Sequence, residues 1–175
     1  MMKKLFSSLI LAGGILALAP VAEVLAQARG GNPGLTIFSG VERENILDYR
    51  LDFRGRRGRW DRYRLRVPGD KLPQGAAEFR ISYPDYYNGR FDTDEIEVRI
   101  DGESQPLKDV VWDEEGHFIA IDLEEPLEPE QKVELVFSNV RNPRQGGTFY
   151  FNGQVKPAEG VAIRQHLGTW IIDIN

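Results

Sequence analysis

The sequence predicts an all-β protein, a single antiparallel β-sandwich of the immunoglobulin-like kind. Three observations carry that expectation. Short runs of alternating apolar and polar residues recur along most of the chain. Clusters of Gly, Pro, Asn and Asp separate those runs. No window of a dozen residues shows an apolar stripe at helical spacing. About ten short strands in a domain of this size suit two packed sheets, with a closed barrel as the alternative.

The first stretch is set apart from the fold. Lys3 and Lys4 precede an apolar run from Leu5 to Leu18, and Ala26-Gln27-Ala28 is a small-residue cleavage site. Residues 1–28 therefore read as a secretory signal peptide. The apolar run is too short to span a bilayer and Pro20 follows it, so no transmembrane anchor is expected after cleavage. Residues 29–39 read as a flexible lead-in with a first short strand from Leu35 to Phe38. Residues 40–175 read as the single sandwich domain. The expected location is the periplasm or the outside of the cell.

The strands then follow in order. From Ile46 to Phe53, Leu47, Tyr49, Leu51 and Phe53 share one face and Asp48, Arg50 and Asp52 the other. Gly55 to Arg59 is a turn. From Trp60 to Val67, Tyr63, Leu65 and Val67 oppose Arg62, Arg64 and Arg66. Further strands are expected over Ala76 to Tyr83 and Glu95 to Ile100, the latter ending at the Asp101-Gly102 turn. Leu107 to Trp112 and His117 to Leu123 form a hairpin. A Pro-interrupted connection covers Glu124 to Glu130. Lys132 to Val140, Thr148 to Asn152 and Thr169 to Ile174 complete the set, and Val161 to Leu167 reads equally as a strand or a helical turn.

Composition narrows the function. The chain of 175 residues is 41% hydrophobic, enough for a real core, and carries a net charge of −5. That balance argues against nucleic acid as a partner. Cysteine is absent, which excludes disulfides, thiolate metal sites and cysteine nucleophiles. With two histidines, general bases and zinc ligands are scarce.

The series GVERENILDYRLDF, DRYRLRVP, YPDYYNGRFD, IEVRIDG, PLKDVVWD, FSNVRNP, GGTFYFN and LGTWIIDI resembles a cyanobacterial exported family catalogued as a domain of unknown function, number 2808. The resemblance runs from about Gly40 to the C-terminus. It implies export and one domain, and brings no activity or site residues with it.

Four sets of residues could carry chemistry. Asp85, Asp92 and Asp94 flank the Tyr86-Tyr87-Asn88-Gly89 loop, and calcium, with about six to eight oxygen ligands, is the cofactor such a loop would take. The spacing is not that of an EF-hand, and solvated acids on a hairpin explain it equally. The second set is the arginine run, whose turn residues Arg56, Arg57 and Arg59 lie beside Trp60. Guanidinium forks suit anionic polysaccharide, lipid head groups or phosphate; cross-strand pairing with acids is the other reading. The third set is aromatic, with Tyr86, Tyr87 and Asn88 placed to stack on and hydrogen-bond a sugar. Two adjacent tyrosines in extended backbone cannot both point inward. The fourth is catalytic, and here no nucleophile elbow or histidine pairing stands out. Asn139 to Pro143 reads either as site lining or as a loop.

The expected function is a non-catalytic exported binding or envelope-associated module. Its partner would be a cell-envelope polysaccharide or another envelope protein. A calcium-stabilised structural domain is the alternative, and a carbohydrate-active enzyme the third reading.

Overall fold

The computed structural model describes residues 40–161 and 163–175. The expected signal peptide and the expected strand from Leu35 to Phe38 lie outside the described residues. Among those described are ten strands: β1 (Tyr49–Leu51), β2 (Trp60–Val67), β3 (Ala76–Ser82), β4 (Ile96–Ile100), β5 (Glu103–Gln105), β6 (Leu107–Asp113), β7 (Phe118–Leu127), β8 (Val133–Arg141), β9 (Gly147–Lys156) and β10 (Gln165–Ile174). They form two five-stranded sheets, ordered β1-β2-β8-β4-β5 and β10-β9-β3-β7-β6. Every strand pairing within the sheets is antiparallel. Each sheet keeps two edges, so the protein is an immunoglobulin-like sandwich and not a closed barrel.

The alternation in the sequence sets which face is buried. On β2, Tyr63, Leu65 and Val67 are buried, and they pair across with Phe137, Leu135 and Val133 of β8. The second sheet contributes Phe79 and Ile81 from β3, Ile119 and Ile121 from β7, and Trp170 and Ile172 from β10. The Trp170 indole N–H, buried with its ring, donates to the Arg66 carbonyl at 3.1 Å, so the polar edge of the largest core side chain is satisfied.

Several strand limits differ from the sequence expectation, for physical reasons. The first strand stops at Leu51, because residues 52–55 turn away; Phe53, expected inward with Leu51, is exposed. The Asp101-Gly102 turn is present with φ of 51° and 90°, and it returns the chain as β5, whose Glu-Ser-Gln sequence carries no apolar alternation. The strand expected to end at Leu123 runs to Leu127 through Pro126. Its β6 neighbour pairs only as far as Leu123, and proline is tolerated beside the open edge that follows.

Polar groups fix one end of this core. The Asp61 carboxylate is 1% exposed. It accepts backbone N–H bonds from Phe53 at 2.9 Å, Gly55 at 2.8 Å and Arg62 at 2.7 Å. The Asn142 amide donates to Asp61 at 3.4 Å and to the Arg56 carbonyl at 2.9 Å. The Asn142 side-chain oxygen accepts from the Tyr63 hydroxyl at 2.6 Å. Tyr63 and Tyr87 hydroxyls lie 3.2 Å apart. The one Tyr63 proton is engaged by Asn142, so Tyr87 donates to Tyr63. Gly55, at φ 62°, closes the turn where a Cβ would stand 2.6 Å from the Asp173 carbonyl oxygen. A side chain there would be both clashing and strained.

Burial raises the Tyr63 phenol well above its ordinary value, with the Tyr87 phenol beside it adding to the rise. Burial also raises the Tyr87 phenol above its ordinary value.

Two outcomes are expected. Asp61→Ala leaves the Phe53 and Gly55 N–H groups without their partner, at about 1–3 kcal/mol each. The thermal midpoint should fall by at least about 6 °C; a change below about 2 °C would show that the turn is held by other means. The second concerns alkaline pH. The folded-state phenols of Tyr63 and Tyr87 titrate above the unfolded value of about 10, so their contribution to stability is full below pH ~10 and is lost as pH rises beyond it. Absorbance at the tyrosinate band should show these two phenols ionising only with unfolding, and Tyr87→Phe should flatten the alkaline loss of stability. Early ionisation without unfolding would contradict the buried pair.

Candidate functional site

Strands β1, β3 and β8 run toward one end of the sandwich, and β2, β4 and β9 leave it. The connections 52–59, 83–95 and 142–146 therefore meet at that end. Backbone bonds tie the first and last of these together, Gly58 N–H to the Pro143 carbonyl at 2.8 Å and Asn142 N–H to the Arg59 carbonyl at 2.9 Å, and Arg57 N–H reaches the carbonyl of Asn175 at 2.8 Å.

Three side chains stand in a row across this corner. Trp60 is opposite Arg141 in the β2–β8 register. Arg141 is opposite Arg90 in an isolated antiparallel bridge, whose two backbone bonds measure 2.9 and 2.8 Å. Directly opposite residues share a face of a sheet. The Arg141 guanidinium lies over the Trp60 ring, 5.3 Å from its centroid, a cation–π contact. Trp60 is nonetheless 58% exposed.

A bulge shapes the neighbouring stretch of β8. Asp61 pairs with Val140 and Tyr63 with Phe137, so Ser138 and Asn139 together face Arg62. Asn139 takes up the excess with a φ of 53°, a left-handed conformation that asparagine tolerates better than most residues. Its amide donates to the Asp92 carboxylate at 3.4 Å.

These residues line a groove of about 600 Å³. Trp60 and Arg141 form one side, and Arg90, Asp92 and Thr93 belong to the crossing segment. The base is aromatic: Phe91 is buried and meets Trp112 edge to face at 5.5 Å. The Trp112 indole donates to the Tyr83 hydroxyl at 2.8 Å. Its size falls within the range of small-ligand sites, and its lining sets three aromatic side chains among five polar or charged ones.

A second cavity, about 460 Å³, lies at the opposite end. Its lining balances Arg66, Arg99 and Lys132 against Asp48, Asp101 and Glu134, and Arg66 pairs with Glu134 at 3.6 Å.

The residues singled out in the sequence divide between several places. Trp60 and Asp92 come together in the groove. Tyr86 is 58% exposed, tilted over Phe149 at 5.6 Å, outside the groove. Tyr87, expected to face a ligand, is 3% exposed instead. Its ring packs edge-on against Phe149 and Phe151 at 5.1 and 5.0 Å, and the chain folds back over it at Gly89, where a Cβ would lie 2.5 Å from the ring. Asn88 is exposed. Arg56, Arg57 and Arg59 are exposed on the turn before Trp60 and make no ion pair among the described residues.

Asp85 and Asp94 are exposed, and Asp92 is half-buried beside Asn139. Among the described residues, no group of three or more acids or histidines is gathered as metal ligands would be; Asp85, Asp92 and Asp94 are not brought into one.

The arginines of β2 itself are paired across strands. Arg64 bridges Asp52 at 3.0 Å and Glu134 at 2.9 Å, and Arg62 donates to the Ser138 hydroxyl at 3.0 Å; on β1, Arg50 reaches the same Asp52 at 3.1 Å. Arg99 pairs with Glu97 at 2.9 Å, and its hydrogen bond holds the Glu97 carboxyl below the usual value. Sequence reasoning missed Arg90 and Thr93 as site residues. Each sits in a loop without strand alternation, and the signal for Arg90 is a bridge to a residue far along the chain.

The described residues contain no helix long and apolar enough to cross a membrane. Comparison with curated proteins gives no match. Among solved structures, the chain is similar to BslA, a bacterial hydrophobin, at 14% identity and a TM-score of 0.49, covering 74% of this chain and 97% of that one. It is similar to the collagen-binding domain of a Staphylococcus aureus adhesin at 12% identity and a TM-score of 0.43, covering 73% and 95%. An uncharacterised Nocardia farcinica protein with an immunoglobulin-like fold is similar at 10% identity and a TM-score of 0.38, covering 74% and 97%. At such identities, ligand and partner must be argued from the chain's own site. A family model matches residues 35–174, and the chain belongs to that family, described as "Protein of unknown function (DUF2808)".

Proposed function

We propose that the protein is an exported, non-catalytic module that binds cell-envelope polysaccharide through the groove beside Trp60. The observation that carries this reading is the groove itself. An exposed indole stands next to an aromatic base and a rim of Asp92, Thr93 and Asn139. A sugar ring offers an apolar face for the indole and hydroxyls for such a rim. Aromatic anchors of this kind dominate binding energy at small interfaces.

Binding rather than catalysis is favoured by the lining. It contains a single carboxylate, Asp92, whereas hydrolysis of a glycosidic bond ordinarily uses two flanking the scissile bond. Export is supported by the charged, apolar and small-residue pattern of residues 1–28. The resemblance to an exported cyanobacterial family supports the same location.

The test is affinity electrophoresis and tryptophan-fluorescence titration of the purified protein against a panel of soluble neutral and acidic polysaccharides. Trp60→Ala should weaken binding about tenfold or more, near 1.4 kcal/mol. Its thermal midpoint should stay within about 2 °C of the parent, since the ring is largely solvent-exposed. Tyr86→Ala should bind as the parent does. Retardation by no polysaccharide, or loss of binding in Tyr86→Ala with Trp60→Ala unaffected, would place the function elsewhere.

A further inference from the structure

We propose that the groove selects acidic sugars, and that Arg90 and Arg141 together hold the carboxylate of a hexuronate residue. This rests on the polysaccharide reading above and names the class of sugar.

Arg90 and Arg141 form a like-charge pair with no acid partner among the described residues. Arg90 and Arg141 are directly opposite each other and joined by both backbone bonds. Their side chains therefore leave the same face, with Cβ atoms about 5 Å apart. Like charges in that relation are destabilising. On the adjoining strands, Arg50, Arg64, Arg66 and Arg99 each have a carboxylate within 4 Å. Neither Arg90 nor Arg141 has an ion pair among the described residues. The nearest lining acid, Asp92, receives its hydrogen bond from Asn139 instead. Two forks on one face without an acid partner suit an incoming carboxylate.

The surroundings choose between anions. Arg141 also lies over Trp60, so a carboxylate held there is next to an exposed aromatic face. A hexuronate presents both features in one ring: the carboxylate at one end and a flat C–H face beside it. Asn139 and Thr93 supply partners for its hydroxyls. Asp92 lowers the formal charge of the lining to one net positive, which matches one carboxylate per sugar and opposes denser anions such as phosphate or clustered sulfate.

The test compares oligogalacturonate with the same oligomer fully methyl-esterified, using the purified protein and calorimetry or fluorescence. The ester keeps the ring and its hydroxyls and removes the charge. The acid should bind about tenfold or more tightly than the ester, and its advantage should shrink as salt rises from about 0.05 to about 0.5 M. Arg90→Gln and Arg141→Gln should each reduce acid binding about tenfold and leave ester binding unchanged. Arg90→Glu should abolish acid binding while keeping or raising the thermal midpoint, because it places an acid opposite Arg141. Arg43→Gln, at the other end of the sandwich, controls for net charge and should bind as the parent does.

Equal binding of acid and ester, with Arg90→Gln altering neither, overturns the acidic-sugar inference and leaves the polysaccharide reading standing. Binding of neither oligomer, nor of any polysaccharide in the wider panel, overturns both. Displacement of the oligomer by inorganic sulfate at comparable concentration, or equal capture by phosphatidylglycerol vesicles, reduces the pair to a general anion patch and overturns the inference.

Discussion

The corner that carries the groove depends on a buried carboxylate satisfied almost wholly by backbone. A charge taken out of water is costly unless it is paired or fully hydrogen-bonded. Asp61 has no cation within ion-pair distance among the described residues; it has three backbone N–H groups and the Asn142 amide. Two of those N–H groups belong to the turn after β1, so satisfying the charge and shaping the turn are one event. The turn then has little freedom, because any change of path at Phe53 or Gly55 exposes the cost of the bare carboxylate.

That inner constraint positions the outer residues. Strand alternation puts Trp60 on the opposite face from Asp61, and Arg141 directly precedes Asn142. The network that holds Asp61 and Asn142 inward therefore holds Trp60 and Arg141 outward and in register. Tyr63 extends the same network into the core, where its bonds to Asn142 and Tyr87 link β2 to the crossing segment that presents Arg90. Buried residues thereby determine whether the three outward side chains line up.

Much of this was legible in the sequence, and the illegible parts share a cause. The period-two pattern of Tyr63, Leu65 and Val67 against Arg62, Arg64 and Arg66 identifies the β2 faces correctly, and the cross-strand reading of those arginines holds. Val136, outward-facing on β8, is fully buried between Arg64 of β2 and Glu97 of β4, which stand directly opposite it, so long charged side chains act there as cover as well as charge. Alternation also says that at least one of Tyr86 and Tyr87 points out. It does not say which, because the choice is made by Gly89 folding over a ring and by the hydroxyl of Tyr63. Arg90 and Arg141 carry no local sign of their meeting; only the closure of a long connection brings them opposite each other. β5 escapes notice for a simpler reason, since a three-residue polar strand has no period to detect.

The groove itself is the product of a mismatch in length. Ile96 pairs with Phe137 and Arg90 with Arg141, so residues 91–95 must be fitted against residues 138–140. The longer side cannot stay in the sheet. It swings out, winds a 3-10 turn over Thr93–Glu95, and turns Phe91 inward to cap the core against Phe137 and Phe151. The shorter side responds with its own irregularity, the bulge at Ser138 and Asn139, which re-aims Asn139 across the gap toward Asp92. Irregular backbone of this kind is unfavourable in isolation, and here it is stabilised by the aromatic packing of Phe91 beneath it. A sheet with equal lengths on both sides would present Arg90, Arg141 and Trp60 on a flat ladder. The excess residues give those side chains a concave, hydrogen-bonding neighbourhood, and so convert a row of charges into a site with shape.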